Sequence, residues 1–223
     1  MTTLTTDPLT PTTTPDDAPS RLLPRLGGVC LALAPIVFTA GLATAPHQDD
    51  LTSAGYVASL ADHPTQAALS ANLLHYSWFF FAFGLLAVIG LVRGRRGRGL
   101  TTVAAVAGAA AAIQISGLLM VDFFVADLGS RIGVEETVAV QDDLGVSVAV
   151  WLFSGQVVLL LIPLTFIGLA RARVISWWLA PLPLAAFAIG AVGLPAAIAV
   201  PVGLACWAPL FVAAHRLVTG PRR

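Results

Sequence analysis

Arg93-Gly94-Arg95-Arg96-Gly97-Arg98 sets four positive charges in six residues between two uncharged apolar segments, Asn72 to Val92 and Leu100 to Val121. Apolar segments of that length belong in hydrocarbon, and arginines packed beside two of them mark a loop held in the cytoplasm. Working outward from this loop assigns a side of the membrane to every other part of the chain.

The composition agrees: 57% of residues are hydrophobic, 11% are charged, and the mean hydropathy is +0.85. A water-soluble domain carries about 25% charged residues, so this chain cannot cover a solvent-facing surface of normal size. It contains no Lys, and its weight of Ala, Gly, Val and Leu fits the coding bias of a high-GC bacterium. Cys30 and Cys206 fall inside apolar segments near opposite ends of the chain, where they read as small apolar side chains without a disulfide.

Residues 1–20 are rich in Thr, Pro and Asp with little apolar to bury, which predicts a disordered cytoplasmic tail. Leu26 to Ala45 is the first span. Ala43-Thr44-Ala45 has the small-residue spacing of a signal-peptidase site, but the apolar run and the preceding tail are long for that, and an uncleaved helix is expected. Pro46 to Ser70 is polar, with Leu51, Ala54, Val57, Ala58 and Ala61 on one helical face, which predicts a short helix on the membrane surface. Asp62 stands where an N-cap would, with Pro64 in the first turn of the next helix. The second span, residues 72–92, opens on His75, Tyr76, Trp78 and Phe79, an aromatic belt at the outer interface.

The third span, residues 100–125, repeats Ala104, Gly108 and Ala112 every fourth residue, a stripe that allows close helix contact at the bundle centre. An acidic stretch from Asp127 to Leu144 leads to the fourth span, residues 145–170, closed by Arg171 and Arg173. Val174 to His215 then carries no Asp, Glu, Lys or Arg. As one helix it would run about 63 Å, roughly twice a hydrocarbon core, so it must fold back, with Gly193-Leu194-Pro195 as the turn. This gives a fifth span at 174–194 and a sixth at 198–216, with a short tail at 220–223. The expectation is therefore an all-α polytopic membrane bundle, residues 21–219, of six transmembrane helices with both termini cytoplasmic. Of the twelve arginines only Arg131 then lies outside, as the positive-inside rule requires of a bacterial plasma-membrane protein.

The Arg-Leu-Gly-Gly lead-in at Arg25 to Gly28, the outer loop ending in Asp62-His63-Pro64, and the Arg/Gly loop before an Ala-rich third span resemble the small six-helix integral membrane proteins of high-GC actinobacteria, whose function is unassigned. The likeness covers roughly residues 25–127 and implies a location rather than a reaction.

No phosphate-binding loop, paired-Cys motif, HExxH or nucleophile elbow is present, and neither a cofactor nor a nucleic-acid partner is expected. His47, Asp49, Asp50, Asp62 and His63 offer metal-ligand chemistry without ligand spacing, so no metal site is expected; His75 and His215 fall at opposite faces, which rules out a bis-His haem. What remains is a constellation at the outer third of three helices. Asp122 is a carboxylate among apolar residues on a spanning helix, expensive unless it faces a cavity, finds a partner, or reaches the headgroups. His75, Tyr76, Trp78, Phe79, Phe123 and Trp151 bring an imidazole and aromatic rings to a similar depth, with Gln114 and Gln156 as interhelix hydrogen-bond partners or ligand contacts.

Three functions fit these residues. The first is a binding or transport protein whose outward pocket takes a lipophilic molecule, with cations favoured by ring quadrupole and carboxylate together. The second is an intramembrane enzyme on a lipid or isoprenoid, in the style of integral-membrane terpene cyclases, with Asp122, Asp127 and His75 as acid–base groups. The third is an accessory or structural subunit, a homo-oligomer or the partner of another membrane protein. Membrane lipid surrounds all three.

Overall fold

The computed structural model describes residues 22–144, 155–191 and 196–220, together with Val150 and Phe153. Among them 84% are helical and none lies in a strand, so the fold is all-α. In chain order the helices are α1 (Leu22–Ala43), α2 (Ser53–Asp62), α3 (Pro64–Val88, continued by a 3-10 turn at Ile89–Leu91), α4 (Arg98–Leu118), α5 (Met120–Ile132) and α6 (Val134–Asp143). There follow α7 (Val158–Arg171), a 3-10 turn at Trp177–Leu179, α8 (Leu182–Ala191), α9 (Ala196–Cys206) and α10 (Ala208–Thr219).

Three of these are long and apolar enough to cross a membrane: Leu22–Ala43, Pro64–Leu91, and α4 with α5 as Arg98–Ile132. A fourth is available if Ala197–Cys206 and Ala208–Thr219, bent by 49°, act as one span. The bend has a covalent cause, because Pro209 has no N–H for the carbonyl four residues back and its ring crowds that carbonyl. Of the expected fourth span, residues 145–149, 151, 152 and 154 lie outside the described residues, and from Val158 on it is the 14-residue α7. The expected fifth span is represented by a helical stretch over Trp177–Ile189, shorter than a hydrocarbon core, and the Gly193-Leu194-Pro195 turn lies outside the described residues.

Lipid tails give apolar side chains no reason to leave them, so helices in a bilayer associate by close packing and hydrogen bonds. α1 and α3 pack glycine against side chain at three levels: Gly27 against Ala87, Gly84 against Leu31, and Gly41 against Leu74. A methyl at Gly84 would stand 2.9 Å from the Leu31 Cα, closer than carbon atoms approach. Gly28 points the other way, against Ala214, Leu217 and Val218 of α10, so the Gly-Gly pair lets α1 sit between two helices. Ala104, Gly108 and Ala112 are buried, and Gly108 lies between Leu85 of α3 and Leu161 of α7. A cluster of rings (Phe38, Trp78, Phe81, Phe187 and Trp207) fills the space where α1, α3, α8 and the α9–α10 bend meet, with centroids 5.0–6.2 Å apart.

Helix length explains what stands outside this bundle. α3 with its 3-10 turn is 28 residues, and α4 with α5 is 35, or about 42 and 52 Å against a hydrocarbon core of about 30 Å. Both overshoot at the same end. There the start of α3 and all of α5 meet α2 and α6, and Val57, Leu60, Ala67, Val125 and Ala126 bury a small second core. The second helix begins at Pro64, the proline expected in its first turn, so residues 72–91 are the later part of a longer helix. Two other expectations are corrected. Of the face expected to lie on the membrane surface, Leu51 and Ala54 are exposed, but Val57 is buried with Leu60 against α5, because that helix provides an apolar partner. Gly129 of α5 makes that crossing possible, since a methyl there would meet the Ala61 Cβ at 2.9 Å. The N-cap of α3 is likewise His63 and not Asp62, which is the last residue of α2.

The opposite end collects the arginines. Gly97, at φ 77°, packs its arginine-bearing loop onto the end of α7, and a Cβ there would lie 2.3 Å from the Gly168 carbonyl oxygen. Leu91, Val174, His215 and Arg216 line one cleft, and the Arg25 end of α1 lies against α3 and α10. Every described Asp and Glu lies instead on the cap side, at Asp49, Asp50, Asp62 or from Asp122 to Asp143.

Candidate functional site

Asp122 sits in the first turn of α5, just past the Leu119 joint, and is half-buried. A hydrocarbon core of about 30 Å that began at Arg98 would end near Leu118, roughly 6 Å short of the carboxylate. Its Oδ1 accepts a hydrogen bond from the phenol of Tyr56 on α2. Burial raises the Tyr56 phenol well above its ordinary value, and the negative charge of Asp122 adds to the rise. The phenol is therefore a durable donor across the whole neutral range.

α2 is set in place to make this bond. Thr52 is its N-cap, its hydroxyl oxygen accepting the Gly55 N–H at 3.0 Å. Asp50 Oδ1 accepts both the Thr52 N–H, at 2.8 Å, and the Thr52 hydroxyl, and these bonds hold its carboxyl below the usual carboxylate range. Gly55 is needed there, because a Cβ would stand 2.2 Å from Asp50 Oδ1.

His75 is engaged elsewhere. Its Nδ1 lies 2.8 Å from the Ser116 hydroxyl and 3.1 Å from the Ser116 carbonyl oxygen, joining α3 to α4. Ser116 is six residues before Asp122, about 9 Å lower along the helix, so imidazole and carboxylate do not share a proton. Asp127 is exposed and accepts from Nε of Arg131 at 2.8 Å, an i,i+4 pair in water.

The rings divide between inside and outside. Trp78 is in the bundle core, stacked on Phe187. Tyr76, Phe79 and Phe83 are exposed on α3, Tyr76 and Phe79 flanking His75 at centroid distances of 5.2 and 5.1 Å. Phe123 and Gln114 are half-buried, Gln156 is exposed, and Trp151 lies outside the described residues. Sequence reasoning did not single out Tyr56 or Ser116. A lone Tyr on an otherwise Ala/Val/Leu helix was the available signal for the first; nothing marked the second.

His47, Asp49, Asp50, Asp62 and His63 line a shallow cleft of about 330 Å³ beside α2. His47 and Asp49, both fully exposed, are 3.8 Å apart. Among the described residues no three His, Cys, Asp or Glu side chains converge as metal ligands would. Comparison with known protein families, characterised proteins and solved structures finds no match to this chain.

Proposed function

We propose that this chain is a six-span protein of a bacterial plasma membrane, both ends cytoplasmic, that binds a lipophilic molecule at its outer rim and favours cations. The observation that carries the reading is Asp122, a half-buried carboxylate at headgroup level on a helix whose preceding turns are apolar. Below its level, the exposed rings of Tyr76, Phe79 and Phe83 follow one another down α3. An amphiphile whose cationic head meets the carboxylate would lay its apolar body on those rings, adding charge attraction to the ring quadrupole. An acid–base enzyme is less well supported, because His75 is held by Ser116 and Asp127 by Arg131, leaving Asp122 with the Tyr56 phenol, whose proton burial and the carboxylate hold in place. The accessory-subunit reading draws on a different observation: among the described residues no buried polar side-chain atom lacks a partner.

The test is retention of tetraphenylphosphonium by the purified protein in detergent, against tetraphenylborate of the same size and opposite charge. Asp122→Asn should weaken phosphonium binding at least tenfold, about 1.4 kcal/mol, while Asp127→Asn leaves it unchanged. Equal binding of the two ions, or a harmless Asp122→Asn, overturns the reading in favour of the accessory subunit.

A further inference from the structure

Independently of the outer rim, we infer that the cleft at the arginine-bearing end is a seat for one anionic phospholipid. The cleft encloses about 630 Å³ and is formed where three chain segments end together: the 3-10 turn after α3, the turn after α7, and the last turns of α10. Its lining is part apolar, with Leu91, Val174, Phe211 and Val212, and part polar, with His215, Arg216 and Thr219 one turn further along α10. Apolar lining followed by the His215 and Arg216 side chains matches an acyl chain followed by a phosphate, and the guanidinium must outweigh the carbonyl ends of the helices that meet here.

Charge makes the choice of head group. Each of the three segments carries an exposed arginine at or within two residues of the wall: Arg93, Arg173 and Arg216. Among the described residues the ion pairs are His47–Asp49 and Arg131–Asp127, both at the other end of the molecule. The arginines here therefore have no described carboxylate to neutralise them, and a zwitterionic head group brings its own cation beside its phosphate, whereas an anionic one supplies net negative charge. Anionic lipids gather at such basic clusters on the cytoplasmic side of membrane proteins.

Arg173 supplies the second line of argument. α7 ends in a Schellman motif, with the Arg173 N–H donating to the Ala170 carbonyl at 2.9 Å and the Val174 N–H to the Leu169 carbonyl at 2.9 Å. The motif places Arg173 at φ 60°, the left-handed region in which glycine is preferred, and it is the only non-glycine with positive φ among the described residues. The sequence breaks a local rule one residue before the cleft wall and places an exposed arginine there. The same turn carries Val174 into the wall.

The experiment is thermal unfolding of the delipidated full-length protein in non-ionic detergent, titrated with dioleoylphosphatidylglycerol, with dioleoylphosphatidylcholine, and with inorganic phosphate. Native mass spectrometry counts the lipid retained. Phosphatidylglycerol should raise the melting temperature saturably at one lipid per chain, and the choline lipid and phosphate should not. Arg216→Gln should raise the half-saturating phosphatidylglycerol concentration at least tenfold. Arg173→Gly should do the same while the lipid-free protein melts at an equal or higher temperature, which separates a binding role from a structural one. Arg95→Gln, in the loop but away from the wall, should change the half-saturation less than twofold. Equal shifts with both lipids, a shift with phosphate alone, or the same loss from Arg95→Gln as from Arg216→Gln would overturn the inference.

Discussion

The phenol of Tyr56 donates to the carboxylate of Asp122 across 66 positions of sequence, and this bond ties α2 to the joint between α4 and α5. Removing the donor by Tyr56→Phe leaves a half-buried carboxylate oxygen to water. A loss of about 1–2 kcal/mol is expected. Leu60→Ala, which opens the cap core itself, should cost about 2–5 kcal/mol. Thermal unfolding ranks the two, and hydrogen exchange should show the Tyr56→Phe loss in α2 first. An α2 that exchanges as slowly in Tyr56→Phe as in the parent would show that the bond contributes nothing.

The same bond predicts a dependence on alkaline pH. The folded Tyr56 phenol is raised above its ordinary value by burial and by Asp122, so the folded state holds this proton more tightly than the unfolded chain. Its stabilising contribution is fully present below the unfolded value of about 10 and is lost as pH rises through the folded value. In a Tyr76→Phe background Tyr56 is the chain's remaining tyrosine. Its phenolate absorbance should then develop together with the loss of helical circular dichroism. Phenolate formation near pH 10 with the helices intact would contradict the burial on which this rests.

His75 and Ser116 form a second interhelix link, lower in the bundle. Hydrogen bonds between membrane helices average about 0.6 kcal/mol and reach about 1.7 kcal/mol. Ser116→Ala should fall in that interval, and the double variant with His75→Phe should lose less than the sum of the two single changes. Strict additivity in this cycle would mean the contact is not an interaction.

Close packing of α1 on α3 gives a matched glycine pair. Gly84→Ala puts a methyl 2.9 Å from the Leu31 backbone and should cost about 1–3 kcal/mol as the helices are forced apart. Gly90→Ala, with nothing within 4 Å, should be neutral or slightly stabilising. The comparison is read from melting temperatures in one detergent. A Gly84→Ala protein as stable as Gly90→Ala would mean the helix pair is looser than described.

The proposed orientation is tested by single-cysteine labelling of intact cells in a background lacking Cys30 and Cys206. A Cys at Ser53 or Glu135 should react with an impermeant maleimide, and one at Gly94 only after permeabilisation. Gly94 is the position to use in the arginine loop, since it has open space around it, whereas Gly97 is in the left-handed region and packed on α7. External labelling at Gly94 would invert the proposal, along with the face on which the Asp122 rim opens.

The sequence alone determined that the protein is helical, that several helices suit a membrane, and that its arginines and its acids part company. These follow from one-dimensional quantities: the length of an uncharged run against the thickness of hydrocarbon, and the order of charges along the chain. The Ala104-Gly108-Ala112 stripe also announced a helix packed closely on its neighbours, because a small residue every fourth position is a property of one helix face. The partners were decided only in three dimensions. Asp122 could be recognised as a costly carboxylate, but that Tyr56 would meet it depended on how far two helices overshoot the bilayer and on where α2 docks against them. Trp78 and Tyr76, two residues apart, looked alike as interfacial rings. They stand on opposite sides of α3, and the position of the Phe187 and Trp207 rings settled which of them is core. The cleft at the arginine end was equally hidden, since its walls come from three segments whose ends meet only after the bundle has packed. Charge and hydropathy act on each residue singly and can be read in order along the chain. A hydrogen bond or a cleft needs two surfaces, and the helix crossings choose the second.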